Sequence, residues 1–402
     1  EGEAEEAEAE SAAEAAPPDK FEGRSPLEQA ELSLAVMIRG QSKLYKEDFQ
    51  AAIEDCDQSI ELDPRWALVW WIRGCSKLGL NDIDGAVADS TEAIHRDPKL
   101  ARAYSVRGRG LLKQGCLREA IADCDQAVFC DPFLALAWCT RGEAKLDIRD
   151  VEGALSDATQ ALTLDWRIPE AWSARGGARL DAGDFEGALV DCTEALELQP
   201  TNAPAWFNRA AARFATRDYK GAIFDVTAAI KISKEFALAW GWRGESNFRL
   251  NKFDGAISDC TTALQLDPGL ASVWITRGGA KFHKADYASA VADCNEALAL
   301  KPNDPLALSV RGQAKSKLNQ HASALDDCGL ALGLDPPTLA QKPSGWLHAI
   351  CGRIWAPVAD KALIKELTQM VEDGPPQDSS GKKIRGKAKA KGKGKAKAKA
   401  KH

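Results

Sequence analysis

The chain has no long apolar run, and it lacks the sequence patterns by which many enzymes are recognised. No stretch of about 18 consecutive apolar residues occurs in its 402 residues, so the sequence predicts no membrane-spanning helix. The nucleotide-binding pattern G-x-x-x-x-G-K-[ST], the zinc-protease pattern H-E-x-x-H and the hydrolase pattern G-x-S-x-G are absent. The five histidines are scattered and show no metal-ligand spacing. We therefore expect neither enzyme activity nor a cofactor.

A 34-residue period covers about three quarters of the chain, from about Ser33 to Pro336. An arginine recurs at this spacing in nine units: Arg39, Arg73, Arg107, Arg141, Arg175, Arg209, Arg243, Arg277 and Arg311. Within one unit, Trp240 and Gly244 belong to one helical stripe, and Ala256 and Cys260 belong to a second. Each unit is thus predicted to be an antiparallel helix pair. The pairs must stack, because each helix has one apolar face to cover.

The aromatic, glycine, alanine and proline positions of the units resemble those of the tetratricopeptide repeat (TPR). Seven units have an aromatic residue at one position of the first helix: Trp70, Tyr104, Trp138, Trp172, Trp206, Trp240 and Trp274. The first alanine position of the second helix, from Ala52 to Ala324, is filled in all nine units. The resemblance implies an all-α fold, a right-handed α-solenoid of nine tandem helix pairs over residues 25–338.

Three positions depart from the usual TPR pattern. The recurring arginine stands where the family usually has leucine. A usually aromatic position late in the first helix is mostly basic, and its members include Lys77, Lys145, Arg179, Arg213 and Lys281. A usually aromatic position in the second helix is mostly cysteine: Cys56, Cys124, Cys192, Cys260, Cys294 and Cys328. Cysteines in stacked repeats would lie too far apart to bridge, so we expect buried thiols in a reducing compartment, the cytoplasm or the nucleus.

Every recurring arginine has an aspartate sixteen residues further on, which predicts a structural charge ladder of Arg–Asp pairs. Its members include Arg73, Arg141, Arg175, Arg243 and Arg277 with Asp89, Asp157, Asp191, Asp259 and Asp293. An arginine in a core position requires a partner, either within its repeat or in a neighbour. The functional alternative is an anion-binding stripe. If the pairs are buried, Arg175→Ala should cost about 3–5 kcal/mol by stranding Asp191.

The TPR resemblance also implies that the first helices line a concave groove that holds a partner segment. Positions expected to be exposed there, and to vary from unit to unit, are Trp71, Arg109, Glu143, Phe207, Glu245 and Arg249. Each of them could equally be an ordinary solvated side chain. No unit carries the Lys/Asn pair with which some TPR proteins grip a chaperone's C-terminal carboxylate, which argues against that function.

Local signals mark several helix starts. Ser25, Pro26 and Glu28 form a capping-box pattern ahead of the first helix, which is predicted to be longer than its counterparts. An aspartate precedes the second helix in six units: Asp48, Asp82, Asp150, Asp184, Asp218 and Asp286. These aspartates are predicted to cap those helices.

The two ends of the chain have opposite charge. Residues 1–16 carry seven glutamates, and residues 1–24 are predicted to be an acidic disordered segment. Residues 339–373 are predicted to form capping helices. Residues 374–402 are predicted to be a disordered tail with eleven basic residues, beginning Lys382, Lys383, Arg385, Lys387 and Lys389. Such a tail could bind a polyanion or nucleic acid, act as a nuclear-import-like signal, pair with the acidic N-terminus or stay solvated.

The function that the resemblance implies is a non-catalytic scaffold or adaptor that binds a protein or peptide in the concave groove. One alternative is the substrate-recruiting arm of a larger enzyme or co-chaperone, of which this chain would be a part. Another is a nucleic-acid-associated adaptor that acts through the basic tail. The residues name neither the partner nor the oligomeric state.

Overall fold

The structure is a computed structural model that describes residues 25–331. This range contains eighteen α-helices and no strand. The acidic segment 1–24, the predicted capping helices at 339–373 and the basic tail at 374–402 lie outside the described residues. The predictions for these three segments therefore stay predictions.

The helices fall into two compact units, divided after Lys234. The helices of the first unit are α1 Pro26–Leu44, α2 Phe49–Leu62, α3 Ala67–Gly79, α4 Ile83–Arg96, α5 Ala101–Lys113, α6 Leu117–Cys130, α7 Ala135–Asp147, α8 Val151–Leu164, α9 Pro169–Asp181, α10 Phe185–Leu198, α11 Ala203–Ala215 and α12 Tyr219–Ile232. Those of the second unit are α13 Ala237–Arg249, α14 Phe253–Leu266, α15 Ala271–His283, α16 Tyr287–Leu300, α17 Pro305–Lys317 and α18 His321–Ala331. The all-α prediction is confirmed, with six helix pairs in the first unit and three in the second.

Consecutive helices pair in a regular way within each unit. Each first helix packs against the second helix of its own repeat, and each second helix packs against the first helix of the next repeat. First helices of neighbouring repeats also contact one another, whereas second helices of neighbours make no contact in the described part of either unit. The first helices therefore lie closer together than the second helices. They form the inner face of each unit, which we call the inner groove.

The predicted helix starts are confirmed. Ser25 and Glu28 form a reciprocal capping box ahead of α1, which has 19 residues against 13 in the other first helices. All six predicted aspartates accept a hydrogen bond from a backbone N–H in the first turn of the helix they precede. Helices α6 and α14 instead begin after Cys116 and Lys252, which make no side-chain cap.

Small residues allow the two helices of a repeat to approach closely. The alanines that open the second helices, such as Ala86 and Ala188, are completely buried. Opposite them lie glycines of the first helices: a Cβ added to Gly176 would lie 2.6 Å from Cys192 Sγ. The six cysteines of the repeated position are all buried free thiols, as expected for small apolar side chains.

Candidate partner-binding groove

The Arg–Asp charge ladder joins the two helices of every described repeat. Each of the nine arginines donates from Nε and Nη2 to both carboxylate oxygens of the aspartate sixteen residues further on, at 2.6–3.0 Å. The aspartates are at most 8% exposed. Two parallel charge-assisted bonds hold each pair in one geometry, so the ladder sets the position of the first helix on the second.

Most ladder aspartates hold a second cation, which the sequence reasoning missed. In seven repeats a lysine or arginine four residues after the ladder arginine contacts the same carboxylate at 2.8–2.9 Å. These are the basic residues in the usually aromatic position, among them Lys77 and Arg179. In the third repeat the position is Leu111, and in the seventh Asn247 donates to Asp259 Oδ2 instead. The sequence contained a signal for this contact: the basic residue follows the ladder arginine by four positions, and residues at i and i+4 share one face of a helix.

The remaining surface of the ladder arginines is also occupied. Six guanidinium groups stack at 4.5–4.8 Å over the tryptophan three residues earlier. In six repeats the third nitrogen reaches the second helix of the preceding repeat, as Arg73 Nη1 does to Asp57 at 2.6 Å. Burial acts to lower the pKa of Arg73, but its hydrogen bonds with Asp89 and Asp57 outweigh this and raise it. These contacts favour an architectural role over an anion-binding stripe.

The predicted groove residues do not share one environment. Trp71, expected to be exposed, is only 8% exposed and packs in a core cluster with Met37 and Ile72. The reason is that α3 is covered on both sides by the first helices of its neighbours. Phe207 on α11 is partly buried. In the second unit, Arg249 pairs with Glu245 one helical turn away at 2.8 Å.

Arg109 and Glu143 lie together at a cavity of about 470 Å³ on the inner groove of the first unit. The cavity is formed by α5, α7, α9 and the start of α11. Its polar lining comprises Arg109, Lys113, Glu143, Asp147, Glu170, Ser173, Asn202 and Asn208. Leu112, Leu146 and Pro204 supply apolar surface. Polar side chains therefore outnumber apolar ones around this concave surface, which is a candidate site for a polar or charged ligand group.

Two contacts organise the polar side of the cavity. Arg109 Nη2 donates to Glu170 Oε1 at 3.2 Å and so bridges two repeats. Glu143, on α7 between them, receives only a weak contact from the Cys139 thiol at 3.5 Å. Burial raises the pKa of Glu143, although the nearby charge of Arg109 opposes the shift. Burial also raises the pKa of Asp147, one helical turn further on.

Residues 25–331 contain no group of three or more His, Cys, Asp or Glu side chains placed to hold a metal ion. Over the same residues, no helix combines the length and apolar character needed to cross a membrane.

Stacked helix pairs of this length define a helical-repeat protein as the class. A family model of the tetratricopeptide repeat matches residues 73–135, 139–203, 178–234 and 212–271. The repeats between residues 73 and 271 thus match the tetratricopeptide-repeat family, whose members generally mediate protein–protein interactions and whose scaffold is generally non-catalytic. No curated protein matches the chain significantly by sequence.

The solved structures that align with this chain have low sequence identity to it. The Cut9–Hcn1 hetero-tetramer of APC/C aligns with a TM-score of 0.59 at 19% identity, over 73% of this chain and 57% of that chain. Yeast Tom70 aligns with a TM-score of 0.38 at 15% identity, over 86% of this chain and 85% of that one. YrrB, described as a TPR protein with an unusual peptide-binding site, aligns at 0.35 and 20% identity, over 46% and 95%. The likeness concerns the fold alone, and this chain spans little more than half of the Cut9–Hcn1 chain.

Proposed function

We propose that the protein is a non-catalytic scaffold or adaptor that binds a protein or peptide segment in the inner groove of its first unit. The observation that carries this proposal is the cavity of about 470 Å³ between α5, α7, α9 and α11. The cavity opens on the face formed by the first helices, and several of its polar groups are only partly used by contacts within the protein. An extended segment would cross these helices, with one side chain entering the cavity.

The charge ladder supports binding by a preformed surface. On α5 and α7 the ladder arginines Arg107 and Arg141 are each two residues away from a cavity residue, Arg109 and Glu143 respectively. Because the ladder fixes each first helix on its own second helix, the cavity residues are positioned before a partner arrives. Little conformational entropy would then be lost on the side of this protein when it binds.

The experiment that tests this proposal is affinity capture with the full chain and a variant in which the cavity is filled. Asn208 lines the cavity from α11, so Asn208→Arg introduces both bulk and charge there. Glu186→Arg places the same side chain at an exposed position of α10, outside the cavity, and is the matched control. Mass spectrometry would compare the captured proteins, and circular dichroism would check that both variants remain helical.

We expect Asn208→Arg to lose specific partners that Glu186→Arg retains. If the wild type and both variants capture the same set, the cavity does not bind the partner and the proposed location is wrong.

A second candidate function rests on the basic tail. Residues 377–402 contain eleven Lys or Arg against one Asp, and Lys382, Lys383, Arg385, Lys387 and Lys389 open this run. We propose that the tail attracts nucleic acid or another polyanion through its charge alone, since no aromatic residue interrupts the lysines for base stacking. We also propose a cytoplasmic or nuclear location, which suits the buried free thiols of the repeats.

A further inference from the structure

We propose that the cavity of the first unit is selective for a lysine or arginine side chain on the partner segment, and that Glu143 is the residue that recognises it. This inference rests on the proposed function, because it concerns the same cavity. It adds the chemical class of the side chain that enters.

The first step concerns the charges that are already compensated. Arg109 is one of the two cations that line the cavity, and it is paired with Glu170 at 3.2 Å. Arg109 and Glu170 belong to different repeats and lie 61 residues apart in the sequence. The charge of Arg109 also acts on the nearby carboxylate of Glu143. One positive charge is therefore shared between two carboxylates, and it can neutralise only one of them.

The second step concerns Glu143, which is left without a cation in contact. Its closest polar contact within the described residues is the Cys139 thiol at 3.5 Å, a weak donor. Within the described residues, no lysine or arginine lies within ion-pair distance of its carboxylate. A partly buried carboxylate facing an open cavity is stabilised most by a cation that enters the cavity.

The charged side chains that line the cavity carry a net negative charge, like Glu143 itself. Asp147 follows Glu143 by one helical turn, and Lys113 occupies the corresponding place on α5. The five charged side chains lining the cavity are thus three carboxylates and two cations, which leaves one carboxylate in excess. A positively charged ligand would correct this imbalance, whereas a negative one would increase it.

The arrangement is confined to one repeat among those described. At the position of Glu143, the neighbouring repeats have Arg109 before it and Gly177 and Ala211 after it. Glu245 is the other glutamate at this position, and it is already paired with Arg249. The repeated architecture does not require Glu143, so its placement suggests recognition.

The test uses the immobilised full chain and mixtures of seven-residue peptides. Each mixture has Lys, Arg, Gln, Leu or Glu fixed at the central position and varied residues around it, and mass spectrometry measures the peptides retained. The wild type is compared with Glu143→Gln, which keeps the shape and removes the charge, and with Glu186→Gln on exposed α10 as the matched control. All three chains share the acidic N-terminal residues. A difference between Glu143→Gln and the other two chains is therefore due to Glu143.

We expect the wild type and Glu186→Gln to enrich Lys and Arg peptides over Gln peptides. In Glu143→Gln this enrichment should fall roughly tenfold or more, as when one charge of a buried ion pair is removed. As the pH falls from about 7 towards the raised pKa of Glu143, Lys retention should weaken more in the wild type than in Glu143→Gln, because protonation removes the charge of Glu143. The other charged or titratable groups facing it are Arg109, Lys113, Cys139, Asp147 and Glu170.

The outcomes separate the two proposals. If Asn208→Arg does not reduce the retention of any peptide, the cavity is not a binding site and the proposed function fails. If Asn208→Arg abolishes retention but Gln, Leu or Glu peptides bind as well as Lys peptides, only the cation selectivity is wrong. If deleting residues 382–402 increases Lys retention in a manner that requires Glu143, the chain's own tail occupies the cavity, and the assignment to a partner is overturned.

Discussion

The ladder aspartates differ in how many cations they contact. This difference decides how much each ladder arginine contributes to the stability of its repeat. Asp191 contacts both Arg175 and Arg179, whereas Asp123 contacts Arg107 and has no second cation among the described residues. Removing an arginine therefore strands the aspartate only in the second case. The cost of about 3–5 kcal/mol expected from the sequence for Arg175→Ala assumed a single partner.

We predict that Arg107→Ala destabilises its repeat by about 3–5 kcal/mol, because Asp123 becomes a buried charge without a partner. Arg175→Ala should cost less, about 1–3 kcal/mol, since Arg179 still compensates Asp191. Unfolding of long repeat arrays is not reliably two-state, so hydrogen exchange of the amides in α5–α6 and α9–α10 is the appropriate measurement.

The double variant Arg175→Ala/Arg179→Ala is the control for this comparison. It should bring the loss at Asp191 up to the level of Arg107→Ala. Losses below about 1 kcal/mol in all three variants would show that the arginines are solvated and that the ladder is not structural.

Glu143 is predicted to reduce the stability of its own repeat at neutral pH. Its folded-state pKa is raised by burial, so folding disfavours the ionised form at every pH above the ordinary value of about 4.3. Glu143→Gln should therefore raise the thermal midpoint near pH 7. The gain should shrink as the pH falls through the raised folded-state pKa, and it should vanish well below about 4, where the wild-type carboxyl group is protonated in both states.

Melting curves at several pH values would check this prediction, with Glu194→Gln, at an exposed position in the middle of α10, as the control. A gain for Glu143→Gln that does not change with pH would contradict it. This stability effect and the peptide selectivity have opposite signs for the same substitution. General unfolding of the variant therefore cannot produce both results.

At the scale of the element, the second helices from α2 to α16 all have 14 residues but differ in their N-caps. Helix α8 begins after Asp150, whose side chain accepts from Gly153 N–H at 3.0 Å. Helix α6 also has 14 residues but begins after Cys116, which makes no such bond. The first turn of α8 therefore has one backbone N–H group that is hydrogen-bonded to a capping side chain, and the first turn of α6 has none.

We predict that Cys116→Asp stabilises α6 by about 1 kcal/mol, because it supplies the missing acceptor and a negative charge at the helix N-terminus. Asp150→Ala should destabilise α8 by a similar amount. Amide exchange in the first turn of each helix measures both effects. No change on Cys116→Asp would mean that the backbone there cannot adopt the capping geometry.

At the scale of the whole molecule, charge is concentrated at the ends of the sequence, with seven glutamates in residues 1–16 and eleven basic residues in 377–402. We predict that the full chain binds single-stranded nucleic acid or heparin with a steep salt dependence, and that deletion of 382–402 abolishes this binding. If the tail makes six or more phosphate contacts, affinity should fall by about a thousandfold between 50 and 200 mM salt.

A gel-shift titration of the full and shortened chains at the two salt concentrations tests this directly. Retention that survives the deletion, or that is insensitive to salt, would contradict an electrostatic role of the tail. Substituting Glu143 should leave this binding unchanged, which separates it from recognition in the inner groove.

The sequence by itself determined the helix pairs, their order and most of their starts. These depend on the 34-residue period and on local signals such as Ser25 and Asp150, which act over three or four residues. It also predicted which Arg and Asp face each other, because the same spacing of sixteen residues recurs in every unit. Such features lie within one repeat, so a periodic sequence displays them many times.

Only the tertiary structure decided how successive repeats meet. The burial of Trp71, the bridge from Arg109 to Glu170 and the isolated position of Glu143 all depend on first helices of neighbouring repeats coming into contact. That contact is set by the small rotation from one helix pair to the next, which arises from the packing of many side chains. The period of a sequence gives the length of a repeat but not this rotation, so the candidate site emerged only once the helices were stacked.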